Sequence, residues 1–485
     1  MFSLSLQSLL LRVLPLGCLV FAASVQADWK ALRALERDGA LVSARVQDLQ
    51  DTAIIHDLHA GTRRGPASIT KLVVAAAALD TWPADKSFET RVLGAGPLKG
   101  GRLQGDLILH GDGDATLDHR DLWMLAGQIR AAGVLRVDGD VVAQPVFGPL
   151  GCDNVDRCEA LSRSHTAYNV PITALGVDYG TWCVRVEPGA HGADARLSAC
   201  GGIDLPVPVE GSIGTVAATA KSSFWVERRT EDGQDRIHVG GTIRQGQAQQ
   251  VYRAMSDPAL GAALLLRQML VNLGVEVAGR ARVRHDPPPE SARLLARVEG
   301  LSLKEQIGRM LRHSNNYVAD LLTLNIAAAR GSGPPSQLAE ASKVLSGFVQ
   351  SRGAADADAP RIYSGSGLTP ENRLSAAEMV AMLGAQYRDT ETFPAFLGGM
   401  VVPRQAPYGF LRRGNAAWLD RVALKTGNMN DPRSVCAVAG YLRRSDGGWM
   451  AFAIMVNGSE RLRRVPMYKA MEAIREDVQD LLARY

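Results

Sequence analysis

The chain has little of what marks a nucleic-acid-binding or membrane-spanning protein. Its 54 lysine and arginine residues nearly balance 50 aspartate and glutamate residues, and aromatic residues make up only 6% of the chain. Proteins that bind polyanions usually gather basic residues in one run or patch, and the sequence has no such run. Beyond residue 27, no apolar stretch reaches the about 20 residues that a helix needs to cross a bilayer. We therefore expect no nucleic-acid partner and at most peripheral contact with a membrane.

Cysteine is scarce, and no Cys-x-x-Cys pair occurs among the six cysteines. This disfavours a zinc site, which remains the alternative explanation of the four cysteines that cluster in the middle of the chain. In an exported chain such a cluster indicates two disulfides. Of the three possible pairings we favour Cys152–Cys158 and Cys183–Cys200, because both close short loops. Cys436 stands apart in an apolar run, where we expect a buried free thiol.

The first 27 residues have the pattern of an export signal. Arg12 is the only charge, an apolar stretch surrounds it, and the small residues before Asp28 allow cleavage near Ala27. Cys18 follows Leu-Gly, which hints at a lipoprotein signal, although Pro15 disfavours lipidation. We expect the mature protein to be periplasmic or otherwise exported.

The tetrapeptide Ser68-Ile69-Thr70-Lys71 opens an alanine-rich apolar run, Leu72 to Leu79. Residues three apart on a helix share one face. A serine hydroxyl becomes a good nucleophile when a base lies within hydrogen-bond reach, and a lysine can be that base if burial lowers its pKa. The spacing therefore predicts a Ser-Lys acyl-transfer pair, although chance alone produces such a spacing in a chain of this length.

Two further motifs follow in order, Ser314-Asn315-Asn316 and Lys425-Thr426-Gly427. The set Ser-x-x-Lys, Ser-Asp-Asn and Lys-Thr-Gly is typical of penicillin-binding proteins and class A β-lactamases. Each tripeptide alone is as well explained by a polar turn or a strand end. All three together, in this order, indicate one active site.

The pattern of elements predicts an α+β protein. After the signal peptide (1–27), we assign residues 28–87 to the N-terminal part of a catalytic domain, with a strand at Leu41–Asp48, a second strand at Asp51–His56 and a helix that carries Ser68. Residues 88–290 read as one or two mainly β inserted domains. Residues 291–485 complete the catalytic domain with helices, three successive strands and a terminal helix whose apolar face packs on the sheet.

With these residues in place, the chain resembles the D-alanyl-D-alanine carboxypeptidase/endopeptidase family, the class C low-molecular-mass type of penicillin-binding protein. Two segments, Gly365-Ser366-Gly367-Leu368 and Asn372-Arg373-Leu374-Ser375, are similar to the glycine-rich segment of that family. The large insertion between the first two motifs is a further likeness. The sequence departs from the family at Tyr363-Ser364, where an acidic residue and Gly are frequent, and at Asn315, where Asp is frequent.

The resemblance implies a fold like that of serine β-lactamases and penicillin-binding transpeptidases. It also implies a role for eight residues. The catalytic residues are Ser68, Lys71 and Ser314, and the substrate-binding residues are Asn316, Lys425, Thr426, Gly427 and Asn428.

By the same resemblance, Ser68 attacks the penultimate D-Ala of a peptidoglycan stem peptide and Lys71 takes its proton. Ser314 bridges Lys71 and Lys425 and relays the proton to the departing D-Ala. β-Lactams are then covalent inhibitors, and neither a cofactor nor a metal is implied. The alternatives are a β-lactamase or esterase with the same Ser-Lys pair, and a non-catalytic cell-wall scaffold.

Overall fold

The structure, a computed structural model, describes residues 29–147, 150, 166–331, 333, 335–353 and 360–485. In this part of the chain the helices are α1 (Lys30–Arg37), α2 (Thr70–Thr81), α3 (His119–Ala131), α4 (Pro258–Asn272), α5 (Leu303–His313), α6 (Asn316–Arg330), α7 (Leu338–Ala341), α8 (Lys343–Ser351), α9 (Ala376–Arg388), α10 (Phe393–Gly398), α11 (Ala416–Arg421) and α12 (Met467–Arg484). The strands are β1 (Leu41–Asp48), β2 (Ile54–Leu58), β3 (Glu89–Ala95), β4 (Leu98–Lys99), β5 (Arg102–Leu103), β6 (Asp106–Gly111), β7 (Arg136–Val137), β8 (Val141–Pro145), β9 (Thr181–Glu187), β10 (Arg196–Ala199), β11 (Val209–Glu210), β12 (Gly214–Val216), β13 (Trp225–Glu231), β14 (Gln234–Gly240), β15 (Thr242–Arg244), β16 (Gln249–Ala254), β17 (Glu276–Val277), β18 (Ala281–Val283), β19 (Arg293–Glu299), β20 (Val422–Met429), β21 (Val435–Arg443) and β22 (Trp449–Asn457).

A five-stranded antiparallel sheet joins the two ends of the chain, in the order β2-β1-β22-β21-β20. Successive side chains of a strand point to opposite faces, so β21 contributes to two cores. Ala437, Ala439 and Tyr441 pack with α2 and α6 on one face. Val438 and Leu442 pack with α1 and α12 on the other face. The sheet therefore lies between two helical layers, and both chain ends are needed to build it.

Helix α2 lies at the centre of the first helical layer. Its apolar residues from Leu72 to Leu79 are all buried. A helix that is apolar on every side belongs in a core rather than at a surface. Its small alanine side chains let α5, α6 and α8 pack closely around it. The predicted Ser68–Lys71 pair is therefore attached to a rigid, buried element.

The part of the chain between α2 and α5 folds mainly as strands. Two sheets, β18-β8-β6-β3-β19 and β17-β7-β5-β4, share a second hydrophobic core with α3 and α4. Three smaller sheets follow the orders β10-β9-β16, β11-β14-β13 and β12-β15. Strand β19 pairs along β3, so this sheet includes residues after 290. The division of the chain at 88–290 stays a prediction.

The predicted elements around the central sheet are largely observed. Strand β1 occupies Leu41–Asp48, as predicted, and three successive strands precede the terminal helix, whose apolar face packs on the sheet. The second strand begins at Ile54 rather than at Asp51. Its start is displaced because Thr52 adopts a left-handed conformation, φ 62°, and the Asp51 carboxylate accepts a hydrogen bond of 2.9 Å from the Ala53 N–H, which closes a turn.

The structure describes three of the cysteines, Cys183, Cys200 and Cys436. Cys183 and Cys200 form a disulfide with a Cα–Cα distance of 5.5 Å, as predicted. Cys436 is a buried free thiol, and burial raises its pKa to about 12. The Cys152–Cys158 pairing lies outside the described residues, as do the predicted signal peptide and the question of lipidation at Cys18. Among the described helices, none is both long and apolar enough to span a membrane.

Asp477 of α12 fastens the first helix to the last. Its carboxylate accepts hydrogen bonds from the N–H groups of Ala31 (3.1 Å) and Leu32 (2.9 Å) of α1, and burial raises its pKa above the usual value. We expect Asp477→Ala to lower the free energy of unfolding by about 1–3 kcal/mol, because one buried and one partly buried N–H group lose their acceptor. Urea unfolding measures the change. The matched control is Asp480→Ala, an exposed residue on the same helix, which should change stability by no more than about 0.5 kcal/mol. Equal losses in both variants would contradict the assignment.

Candidate active site

Ser68 lies on a short 3₁₀ turn, Ala67–Ile69, that leads directly into α2. The predicted helix therefore begins with a tighter first turn. Ala67, the residue before the serine, has a left-handed backbone with φ 44°. Such a conformation is strained for a residue with a side chain, and it persists where the surrounding structure holds it in place. The turn brings the Ser68 hydroxyl to 2.8 Å from the Lys71 Nζ.

Lys71 is fully buried and surrounded by oxygen atoms. Its Nζ lies 2.8 Å from the Ser68 Oγ, 2.8 Å from the Asn316 Oδ1 and 2.6 Å from the Ser366 carbonyl oxygen. Two of these three neighbours, the amide oxygen and the carbonyl oxygen, are acceptors only. The third is a hydroxyl, which can also donate. The arrangement can therefore hold a neutral amine with its two N–H groups on the two acceptors and its lone pair toward the Ser68 hydroxyl.

The second motif forms the turn between α5 and α6. Helix α5 ends at His313, and Ser314 follows in a left-handed conformation with φ 54°. The Asn315 side chain caps α6 by accepting a hydrogen bond of 3.0 Å from the Val318 N–H. This turn directs Asn316 to Lys71, whereas the Ser314 Oγ accepts a hydrogen bond of 2.9 Å from the Lys425 Nζ. The Asn316 Nδ2 also donates to the Tyr168 carbonyl at 3.1 Å.

Lys425 is the second buried lysine of the site. Its Nζ donates to the Ser314 Oγ and, at 2.6 Å, to the Thr426 carbonyl. Burial lowers its pKa from the usual 10.5 to about 7, because the ammonium loses its hydration. A modest change in pH or the arrival of an anion can therefore change its charge.

Strand β20 carries Lys425 to Asn428 along one edge of the central sheet. Val401 bridges its outer edge at Leu424. Farther along the strand, Gly427 passes so close to the nucleophile turn that a Cβ atom there would lie 2.7 Å from the Pro66 carbonyl and 2.8 Å from the Ser68 nitrogen. The absence of a side chain thus lets the strand backbone approach the Ser68 amide. The next residue, Asn428, is exposed at the mouth of this contact.

The structure brings the predicted residues together through two linked groups. Ser68, Lys71 and Asn316 form one group, and Ser314 and Lys425 form the other. The two groups meet because Ser314 and Asn316 belong to the same turn.

Sequence reasoning missed the Ser366 carbonyl and the buried Asp320 that anchors it. A backbone carbonyl has no signature in a sequence. However, one aspartate among the apolar residues of α6 was a visible signal.

One group of side chains outside this site has the composition of a metal site. Ligand atoms of Glu210, Glu231 and His238 lie within 4.8 Å of one another. Arg236 already forms ion pairs with both glutamates, at 2.9 Å and 3.1 Å. These residues lie on the small β11-β14-β13 sheet, and Arg236 already occupies both glutamates, so we assign no metal to them.

The fold and the site together define a serine hydrolase of the penicillin-binding type. The sequence profile of the D-Ala-D-Ala carboxypeptidase 3 (S13) family matches residues 26–478. The chain is 30% identical over 447 residues to the D-alanyl-D-alanine carboxypeptidase of Actinomadura sp. strain R39, covering 87% of this chain and 78% of that protein. It is 24% identical over 438 residues to the D-alanyl-D-alanine carboxypeptidase DacB of Haemophilus influenzae, covering 87% and 86% of the two chains. The chain belongs to the D-Ala-D-Ala carboxypeptidase 3 (S13) family, as its motifs predicted.

Solved structures confirm the predicted fold class. The crystal structure of penicillin binding protein 4 from Haemophilus influenzae matches with a TM-score of 0.73 and 21% identity, covering 93% of this chain and 99% of the other. A second structure of that protein, complexed with a β-lactam, matches with a TM-score of 0.68. The protein therefore has the α+β fold of penicillin binding protein 4.

Gly427→Ala tests the close approach of β20 to the nucleophile turn. A methyl group would displace either the strand or the Ser68 amide, and we expect the rate of covalent labelling by a fluorescent penicillin to fall about 10²-fold, as misplacement of reacting groups by about 1 Å commonly does. The matched control is Gly127→Ala in α3, where a Cβ atom has open space. An unchanged labelling rate in Gly427→Ala would show that the strand does not shape the site.

Proposed function

We propose that this enzyme hydrolyses the D-Ala-D-Ala ends of peptidoglycan stem peptides through an acyl-enzyme on Ser68. The observation that carries the proposal is the position of the Lys71 Nζ, 2.8 Å from the Ser68 Oγ and in contact with two acceptors. In the neutral amine, the two N–H groups bind the Asn316 Oδ1 and the Ser366 carbonyl. The lone pair then accepts the Ser68 proton as the hydroxyl oxygen attacks the carbonyl of the penultimate D-Ala.

The second lysine acts at the other end of the scissile bond. Lys425, as an ammonium, and the Thr426 hydroxyl bind the terminal carboxylate through charge-assisted hydrogen bonds. The Ser314 hydroxyl accepts a hydrogen bond from Lys425, and in this proposal it relays the proton from Lys71 to the leaving group. As the C–N bond breaks, the hydroxyl gives its proton to the amine of the departing D-Ala and takes up the proton that Lys71 accepted from Ser68.

Backbone amides stabilise the oxyanion. The N–H groups of Ser68 and Asn428 are the donors in this proposal, and the close approach of Gly427 to the Ser68 nitrogen supports it. Preorganised donors of this kind are worth about 3 kcal/mol each in the transition state.

The Asn316 amide holds an amide group of the substrate. Water then attacks the acyl-enzyme and frees Ser68, whereas a β-lactam acylates the same oxygen and leaves slowly.

The partners follow from this chemistry. The substrates are peptidoglycan stem peptides, cleaved at a free D-Ala-D-Ala end (carboxypeptidase) or at a D,D-cross-link (endopeptidase). The export signal predicted at 1–27 supports a location outside the cytoplasm, beside the cell wall. The family of the chain and the β-lactam complex of the Haemophilus influenzae protein support β-lactams as covalent inhibitors.

Labelling by fluorescent penicillin tests the nucleophile and the base. We expect one label per chain, located at Ser68 by peptide mass spectrometry, and D-Ala release from a pentapeptide. Ser68→Ala should abolish both, and Lys71→Ala should reduce both strongly because the hydroxyl loses its proton acceptor. The controls Ser336→Ala and Lys304→Ala change exposed residues and should behave as the unmodified protein.

Label that persists in Ser68→Ala would refute the assignment. Rapid nitrocefin turnover without trapping would identify a β-lactamase, and a purified chain that neither binds penicillin nor releases D-Ala would identify a scaffold. Digestion of cross-linked peptidoglycan, read by mass spectrometry, separates the carboxypeptidase from the endopeptidase activity.

The pKa of about 7 at Lys425 predicts a pH dependence. The ammonium is present below that pH and is lost above it, so binding of a terminal carboxylate should weaken as the pH rises. We expect kcat/KM for a D-Ala-D-Ala peptide, divided by kcat/KM for the same peptide with a C-terminal amide, to fall by up to about tenfold per pH unit above pH 7. The titration of the base, Lys71, affects both substrates equally and therefore cancels in this ratio. Lys425→Arg, which stays charged, is the control and should flatten the ratio. A ratio that is constant from pH 6 to pH 9 in the unmodified enzyme would contradict the role of Lys425.

A further inference from the structure

The Ser366 carbonyl reaches Lys71 from a loop that is tied to α6 by a buried carboxylate. Asp320 is fully buried. Its Oδ1 accepts a hydrogen bond of 2.7 Å from the Ser366 N–H and one of 3.0 Å from the Ser364 hydroxyl. The hydroxyls of Ser364 and Ser366 also lie 2.7 Å apart. A charged acceptor makes stronger hydrogen bonds than a neutral one, so Asp320 is the main anchor of this segment.

The residue that Asp320 anchors is in contact with both members of the catalytic pair. The Ser366 carbonyl accepts a hydrogen bond of 2.6 Å from the Lys71 Nζ, and the Ser68 Oγ lies 3.3 Å from the same oxygen. A displacement of Ser366 would therefore change the direction of the lysine amine as well as its distance from the hydroxyl.

Helix α6 positions both of the acceptors that contact the Lys71 Nζ, the Asn316 Oδ1 and the Ser366 carbonyl oxygen. Asn316 and Asp320 are four residues apart and lie on the same face of the helix. Asn316 contacts the lysine directly, and Asp320 acts through Ser366. With both N–H groups of a neutral amine held in this way, only one direction remains for the lone pair, which is toward Ser68.

Other contacts hold the rest of the loop independently of Asp320. The Asn372 Oδ1 accepts a hydrogen bond of 2.8 Å from the Tyr363 N–H, and its Nδ2 donates at 2.8 Å to the Ser364 carbonyl. The Asn372 Nδ2 also reaches the Thr70 hydroxyl at 3.4 Å. Removal of Asp320 should therefore release the position of Ser366 while the two ends of the loop stay attached.

We propose that Asp320 is a positioning residue that aims Lys71 at Ser68 by fixing the Ser366 carbonyl. This inference rests on the proposed function, since it assigns a task to the base of that mechanism. A buried carboxylate that merely joins a helix to a loop would affect stability alone. The two roles predict different first-order rate constants of acylation, because this constant is a property of the folded protein alone and does not fall when part of the sample is unfolded.

The test compares Asp320→Ala, Asp320→Asn and Asp477→Ala by stopped-flow acylation with a fluorescent penicillin. Titration with the labelled β-lactam gives the active fraction, and the concentration dependence separates non-covalent binding from the acylation step. We expect Asp320→Ala to lower the acylation rate constant about 10²-fold, with non-covalent binding little changed. Asp320→Asn should stay within about tenfold of the unmodified enzyme, because its amide oxygen can accept the same hydrogen bonds without the charge. Asp477→Ala removes a buried carboxylate that also accepts two backbone hydrogen bonds, and it should acylate at the unmodified rate although it is less stable.

An acylation rate constant in Asp320→Ala equal to that of the unmodified enzyme would overturn the proposal. An equal loss in Asp320→Ala and Asp477→Ala would overturn it as well. If Asp320→Ala does not fold, Ser364→Ala removes the hydrogen bond from the Ser364 hydroxyl to the carboxylate and should slow acylation by about threefold to tenfold. An unchanged rate constant in that variant would then refute the inference. Failure of the proposed function would be seen separately, as absence of acylation in the unmodified enzyme.

Discussion

The structure of this enzyme depends on one buried amine. Lys71 is fully removed from solvent, and a buried amine is costly unless hydrogen bonds replace its lost hydration. Oxygens from three separate segments meet it, which are the Ala67–Ile69 turn, helix α6 and the loop around Ser366. The fold must therefore bring residues from both halves of the chain to one point. The five-stranded sheet does so, since its strands come from both ends and its helical layer contains both α2 and α6.

Close approaches between backbone segments are a second constraint on the active site, besides the hydrogen bonds to Lys71. Ala67 and Ser314, the residue before the nucleophile and the serine of the second motif, both adopt the left-handed conformation that disfavours side chains. Such conformations cost about 1–3 kcal/mol each. At the Ala67 turn, Gly427 and Gly367 leave room for the backbone, since a Cβ atom at either position would collide with backbone atoms of residues 66–69. Glycine at these two positions is thus a requirement of the geometry around Ser68, and not a matter of loop flexibility.

Part of this arrangement could be predicted from the sequence, and part could not. The motif residues were identified by type and spacing, and β1 and the three C-terminal strands were identified by their apolar patterns. Ser366 was noted only as part of a glycine-rich segment, because its contribution is a backbone carbonyl and any residue supplies one. Asp320 was missed because its partners are 44 and 46 residues away in sequence. Pairings at such separations follow from tertiary packing, which local patterns do not encode.

The two departures from the family pattern are understood once the contacts are known. Asn315 caps α6 with its side-chain oxygen, a task that asparagine and aspartate perform about equally well. Ser364 stands where the family often has glycine, and its hydroxyl donates to Asp320. The first exchange therefore preserves a helix start, and the second adds a hydrogen bond to the anchor of the Ser366 carbonyl. Asn315 and Ser364 thus support the two segments whose oxygens, those of Asn316 and Ser366, contact Lys71.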